Sequence, residues 1–129
     1  MPAYNTTLFD PPAPLAQVTL RNPATGELLS DVPMLLDTGS DVTLISTSVA
    51  NQFGLNTIPD KRYELIGFDG SLSFASVTWV EMIFLERTFR GLFLIVEREY
   101  GVIGRNILNL VPLLLDGPNL TWSIQRRIR

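Results

Sequence analysis

No stretch of this 129-residue chain sustains the 3.6-residue apolar period of an amphipathic helix. Its apolar residues come instead in short runs and alternations, punctuated by nine glycines and nine prolines, so an all-β chain is expected. Ala16-Gln17-Val18-Thr19-Leu20 alternates as a half-buried strand does, and Asn22-Pro23-Ala24-Thr25-Gly26 supplies a turn. Residues 32–36 read as a strand that delivers Asp37, and Val42-Thr43-Leu44-Ile45 as a β-branched strand leaving the loop. Ser46 or Thr47 is placed to cap a short helix with Val49, Ala50 and Phe53 facing inward and Gly54 closing it. Gly67-Phe68-Asp69-Gly70, flanked by Tyr63-Glu64-Leu65-Ile66 and residues 71–81, is a hairpin signal, because Asp-Gly suits a tight turn with positive φ. Residues 90–96 and 120–124 read as further strands, and Gly104-Arg105-Asn106 opens a short helix through about Leu110. Residues 1–14, with Pro2, Pro11, Pro12 and Pro14, read as an extended arm rather than a packed element. A single domain over residues 15–125 and a basic tail over 126–129 complete the expected layout.

Composition removes whole reaction classes, because the chain has no His and no Cys. Ser-His-Asp and Cys-His catalysis need an imidazole base, and zinc sites nearly always use His or Cys. Carboxylates, hydroxyls, Lys and Arg are left to do any chemistry. Three of the ten basic residues, Arg126, Arg127 and Arg129, fall in the last four positions; removing their +3 from the net −3 leaves −6 on residues 1–125. Without interleaved aromatics that tail reads as a solvated end, so no nucleic-acid partner is assigned. The apolar runs Leu92-Phe93-Leu94-Ile95-Val96 and Leu113-Leu114-Leu115 are too short to span a bilayer, and the first residues lack a basic region followed by an apolar segment. A soluble cytoplasmic protein is therefore expected, without a membrane partner.

The chemistry concentrates at Asp37-Thr38-Gly39-Ser40, which directly follows the apolar run Met34-Leu35-Leu36. A carboxylate at the end of a buried strand, on a loop that Gly39 lets turn sharply, suits acid-base hydrolysis. Such hydrolysis needs two carboxylates sharing a proton, and the chain has one such loop, so the second must come from another copy. Hydrophobic content of 46% against 18% charged residues is high for a monomer of this size and places some apolar surface at a subunit interface. Asp116-Gly117 lacks a hydroxyl residue between its members and reads as a turn.

Three parts in order, the Asp37-Thr38-Gly39-Ser40 loop, the Gly-containing hairpin and the segment Val102-Ile103-Gly104-Arg105-Asn106-Ile107-Leu108, make the chain resemble the retropepsin-like aspartic peptidases. The resemblance implies a closed β-barrel of the acid-protease fold with one short C-terminal helix, one half-site per chain, and a homodimer that needs no cofactor or metal. Asp37 from each copy would hold the lytic water, Thr38 would hydrogen-bond across the two-fold axis, and Gly39 would meet the substrate backbone. Ser40 would donate its hydroxyl to Asp37. Asp41 and Arg105 would form an ion pair bracing the loop against the helix opened by Gly104, Arg105 and Asn106. Gly67, Phe68, Asp69 and Gly70 would form the tip of a flap over an extended polypeptide substrate, Phe68 either covering the substrate or packing within its hairpin. Trp79 and Trp122 read as core or interface residues rather than substrate contacts. The implied activity is aspartic endopeptidase. Its competitor is a catalytically silent dimerisation or peptide-binding module of the same fold, against which the intact Asp37-Thr38-Gly39-Ser40 argues. A fragment of a larger polyprotein is a third reading, against which Met1 and the lack of linkers argue.

Overall fold

A computed structural model describes residues 2–59, 61–67 and 69–125. Phe68 and the basic tail of residues 126–129 lie outside the described residues. Ten strands and two short helices run in the order β1 (Ala3–Asn5), β2 (Ala13–Arg21), β3 (Leu28–Leu36), β4 (Leu44–Ser46), α1 (Thr47–Gln52), β5 (Arg62–Ile66), β6 (Leu72–Phe84), β7 (Arg87–Val96), β8 (Gly101–Ile103), α2 (Arg105–Leu108), β9 (Leu113–Asp116) and β10 (Thr121–Ile124). The chain is all-β, as its patterning implies.

All the strands join in one sheet of order β5-β6-β7-β4-β8-β3-β2-β1-β10-β9. An extra antiparallel pairing of β2 with β6, Leu20 opposite Met82, brings the sheet back onto itself through six strands. Two pairings are parallel, β3 with β8 and β4 with β7, and they bring the ends of β3 and β8 side by side. Side chains from the inner faces meet in a core of Val18, Leu20, Met34, Ile45, Val80, Met82, Phe93 and Ile103, all nearly inaccessible to water. Leu44, Ala75, Val77, Leu94 and Val102 form a second cluster under the β5–β6 hairpin. Burying side chains of this size contributes about 1.5–3 kcal/mol each.

Local signals explain the ends of α1 but not the β6–β7 turn. Ser46 caps α1, its hydroxyl accepting from the Val49 amide at 3.2 Å, and Gly54 at φ +64° follows the helix as the expected stop. The β6–β7 hairpin turns through Leu85 and Glu86 at φ +53° and +62°, the backbone of a two-residue turn that usually selects Asn-Gly. Asp31, also at positive φ, sits where β2 and β3 shift register between Val18 and Leu20.

The N-terminal residues depart from the expected unpacked arm. Ala3–Asn5 is a strand wedged between β2 and β10, with Ala3 opposite both Leu15 and Thr121. The prolines do not prevent this, since Pro2 and Pro11 lie outside β1 and Pro14 faces Tyr4 at the start of β2. Helix α2 is shorter than expected, four residues from Arg105 to Leu108, with turns continuing to Leu110. Trp122 is a core residue whose indole N–H donates to the Leu15 carbonyl at 3.1 Å, whereas Trp79 is half exposed and does not belong to the core. Asp116-Gly117 does open a turn, closed by the Asn119 side chain donating to Asp116 at 2.8 Å. No helix among the described residues is long and apolar enough to cross a membrane.

Candidate active site

Strand β3 ends at Leu36, opposite Ile103 at the end of β8, and the Asp37 amide donates to the Ile103 carbonyl at 3.1 Å. The loop bearing Asp37 and the turn bearing Gly104 therefore leave the sheet from the same edge. The hydrophobic residues preceding each of them are strand residues buried in the core, which fixes the position of both loops.

The Asp37 loop is held by its own backbone. Gly39 donates its amide to Asp37 Oδ1 at 2.8 Å, and Ser40 donates its amide to the Asp37 carbonyl at 3.2 Å. A β-carbon on Gly39 would stand 3.0 Å from Asp37 Oδ1, so any larger residue crowds the carboxylate. Asp37 is half-buried, while Thr38 and Gly39 are exposed.

Beneath the loop lies a clamp built from the second motif. Gly104 packs so closely that a β-carbon would fall 2.1 Å from the Val42 carbonyl oxygen and 2.8 Å from that of Ser40. The Arg105 amide donates to the Ser40 carbonyl at 2.8 Å. The Thr43 hydroxyl, nearly inaccessible to water, donates to Asn106 Oδ1 at 2.8 Å and accepts from the Gly104 amide at 3.2 Å. Thr43 was expected only as a strand residue. A hydroxyl amid the apolar Val42-Thr43-Leu44-Ile45 is the sequence signal that marks it, since a buried hydroxyl needs partners.

Two expected contacts are replaced by others. The Ser40 hydroxyl donates to the Val42 carbonyl at 2.7 Å, not to Asp37, because the turn of the loop brings that carbonyl within reach two residues on. Arg105 does not pair with Asp41. Its guanidinium donates to the Thr38 carbonyl at 2.6 Å, and the one ion pair among the described residues is Arg21 with Glu81. Asp41 is left exposed.

Across from the loop stands the β5–β6 hairpin, paired from Arg62–Ser76 to Ile66–Leu72. Its tip closes through Gly67 donating to Ser71 and Gly70, at φ +82°, donating to Gly67. The Ser71 hydroxyl, and after it the Ser71 amide at 2.9 Å, hold the Asp69 carboxyl below its ordinary value. The ionised carboxylate is thus the form that ties the tip together; its contribution is full above the ordinary carboxylate range and is lost as pH falls through the lowered value. Asp37, Gly39, Ser40 and Asp41 line one open groove of about 540 Å³ with Glu64, Leu65, Ile66, Gly67, Ser71 and Ser73 of the hairpin, and Val42, Leu44 and Val102 add apolar surface to it. The candidate loop and the candidate flap therefore share one groove. Arg98, which the sequence reading did not single out, completes the lining.

Comparison with known proteins agrees with this geometry. The model of the family described as aspartyl protease matches residues 17–107, a span from β2 into α2 that contains the Asp37 motif and all of the second motif but Leu108. Among solved structures, the EIAV protease complexed with the inhibitor HBY-793 superposes with a TM-score of 0.57 at 22% identity, covering 75% of this chain and 86% of that one. That likeness is one of fold. A search of curated proteins returns no significant match.

Proposed function

From the premise that this chain belongs to the aspartyl protease family, with a retropepsin-like fold, we propose that it is an aspartic endopeptidase whose active site forms between two copies. The observation that carries the reading is the placement of Asp37 on a clamped loop, opposite a hairpin, in an open groove of about 540 Å³. Each copy supplies one carboxylate, and two carboxylates sharing one proton are the machinery of metal-free peptide hydrolysis by this class. The ionised Asp37 takes a proton from water as it attacks the scissile carbonyl, and the protonated Asp37 donates to the developing oxyanion. Thr38 is exposed, with no hydrogen-bond partner for its hydroxyl among the described residues; on this reading it bonds its counterpart across the axis. The outermost strand β9, with Leu114 and Leu115 about half exposed, is an apolar edge that suits a second copy. Substrate lies in the groove as an added strand, with the hairpin folding down to exclude water.

The test is hydrolysis of a mixed peptide substrate by wild type and by Asp37→Asn, with sedimentation of both. Cleavage by a wild-type dimer and its loss in a folded Asp37→Asn dimer are expected. A variant retaining activity within tenfold of wild type would remove Asp37 from the mechanism.

A further inference from the structure

Arg98 lies exposed in the bend between β7 and β8 and is one of the residues lining the groove that holds Asp37. Other arginines are engaged inside the protein: Arg21 on Glu81, Arg87 on the Leu110 carbonyl and Arg105 on the Thr38 carbonyl. Arg98 makes no ion pair and no hydrogen bond among the described residues, where the single ion pair is Arg21–Glu81. It is also the one cationic side chain on the described lining of the groove; the other charged groups there are the carboxylates of Asp37, Asp41 and Glu64. The bend is anchored rather than loose, since Tyr100 meets Phe9 edge-on at 4.8 Å between ring centroids.

An extended substrate filling this groove displaces the water that hydrates the guanidinium. Val42, Leu44 and Val102, the apolar part of the lining away from the Asp41 and Glu64 carboxylates and the Ser40, Ser71 and Ser73 hydroxyls, offer no side-chain acceptor in return. A carboxylate on the substrate matches both the charge and the planar fork of the guanidinium, which a main-chain carbonyl does only in part. Resting on the endopeptidase reading, we propose that Arg98 determines specificity by selecting an acidic side chain in the substrate. Side chains of an extended chain alternate between faces, so the preference falls on a defined position rather than along the whole groove. Two-fold symmetry repeats it at the mirror position on the other side of the cut. Asp41 and Glu64 sharpen the choice by repelling a carboxylate placed at neighbouring positions.

The experiment compares peptides carrying Glu, Gln or Lys at each position around the cut, with wild type, Arg98→Ala, Arg98→Lys and Arg98→Glu. Wild type is expected to favour Glu over Gln in kcat/KM by about three- to tenfold at one position and at its mirror, the range for a charge-assisted contact in a partly desolvated site. Arg98→Ala should abolish that preference, Arg98→Lys should keep part of it, and Arg98→Glu should turn it toward Lys. Equal use of Glu and Gln by wild type at every position, or a Glu preference that survives in Arg98→Ala, overturns the proposal. Parallel anisotropy titrations of labelled Glu and Gln peptides separate the two readings. If no peptide is cut, the hydrolytic reading fails, while tighter binding of the Glu peptide that disappears in Arg98→Ala still upholds the role of Arg98, and equal binding still overturns it.

Discussion

The Arg105 guanidinium is hydrogen-bonded to the main-chain carbonyl of Thr38 at 2.6 Å, so the loop carrying Asp37 is held through its backbone and not through a side-chain ion pair. A carbonyl on the loop accepts at the position where the turn needs support, whereas the Asp41 side chain is free to face the groove. Arg105→Ala is therefore expected to cost about 1 kcal/mol, an exposed example of a hydrogen bond with a charged donor. Asp41→Asn should change stability by less than about 0.5 kcal/mol, as for an unpaired surface charge. Denaturant melts of the two variants check this, and equal losses in both would restore an Asp41–Arg105 pair.

Gly104 is the least replaceable residue of the clamp. The predicted 2.1 Å approach of a β-carbon to the Val42 carbonyl oxygen cannot be relieved without moving the Asp37 loop. Gly104→Ala should destabilise by about 3 kcal/mol or more, beyond ordinary overpacking because the obstacle is backbone. Loss of peptide cleavage should accompany it even where the variant still folds. A variant as stable as wild type, by thermal and denaturant melts, would mean that the two loops do not touch.

The buried Thr43 hydroxyl joins Gly104 to Asn106, and removing it strands the buried Gly104 amide. Thr43→Val keeps the shape but leaves the buried Gly104 amide without a partner, at an expected cost of about 1–3 kcal/mol. Asn106→Ala removes only one end of the network and should cost less, since Asn106 is exposed. Melts of the single and double variants, read as a cycle, would show coupling of at least about 0.5 kcal/mol if the network is real.

Ser40 offers a contrast between stability and chemistry. Its hydroxyl closes the loop on Val42, so Ser40→Ala should cost about 1 kcal/mol while leaving both limbs of the pH profile of kcat/KM in place. A raised acid limb would instead show that the hydroxyl reaches Asp37 during turnover.

The strands that carry the site were legible because each pairs an apolar run with a chemical marker. Met34-Leu35-Leu36 before Asp37 and Val102-Ile103 before Gly104 are strand ends, buried except for the partly buried Leu35, and the Asp69-Gly70 turn marks the hairpin between them. Other features depended on tertiary context. The β6–β7 turn uses Leu85-Glu86, which carries no turn signal, because the long pairing from Ser76–Ile95 to Phe84–Arg87 imposes the backbone that Asn-Gly would adopt unaided. The pairing of Ala3–Asn5 with β10 joins residues more than a hundred positions apart, and no local pattern encodes it. The partners of Ser40 and Arg105 were missed for a related reason: residue type announces a donor, but which of several nearby acceptors it meets is set by the exact course of the loop.

The proposed division of the site between two copies yields a test that requires no structure of the dimer. On that reading Asp37→Asn chains should fold and pair with wild-type chains, and a mixed pair would hold only one ionisable carboxylate at the axis and could not share a proton as the wild-type pair does. With a ninefold excess of the variant, random pairing leaves only about a tenth of wild-type chains in wild-type pairs, so activity should fall about tenfold at constant wild-type concentration. An equal excess of an unrelated protein should leave it unchanged. Dilution of wild type alone should give the matching result, specific activity falling as pairs dissociate and returning on concentration. Undiminished activity in the mixture, after time for exchange verified by sedimentation of tagged chains, would show that one chain hydrolyses peptide by itself and that its second proton-transfer group lies within the same copy.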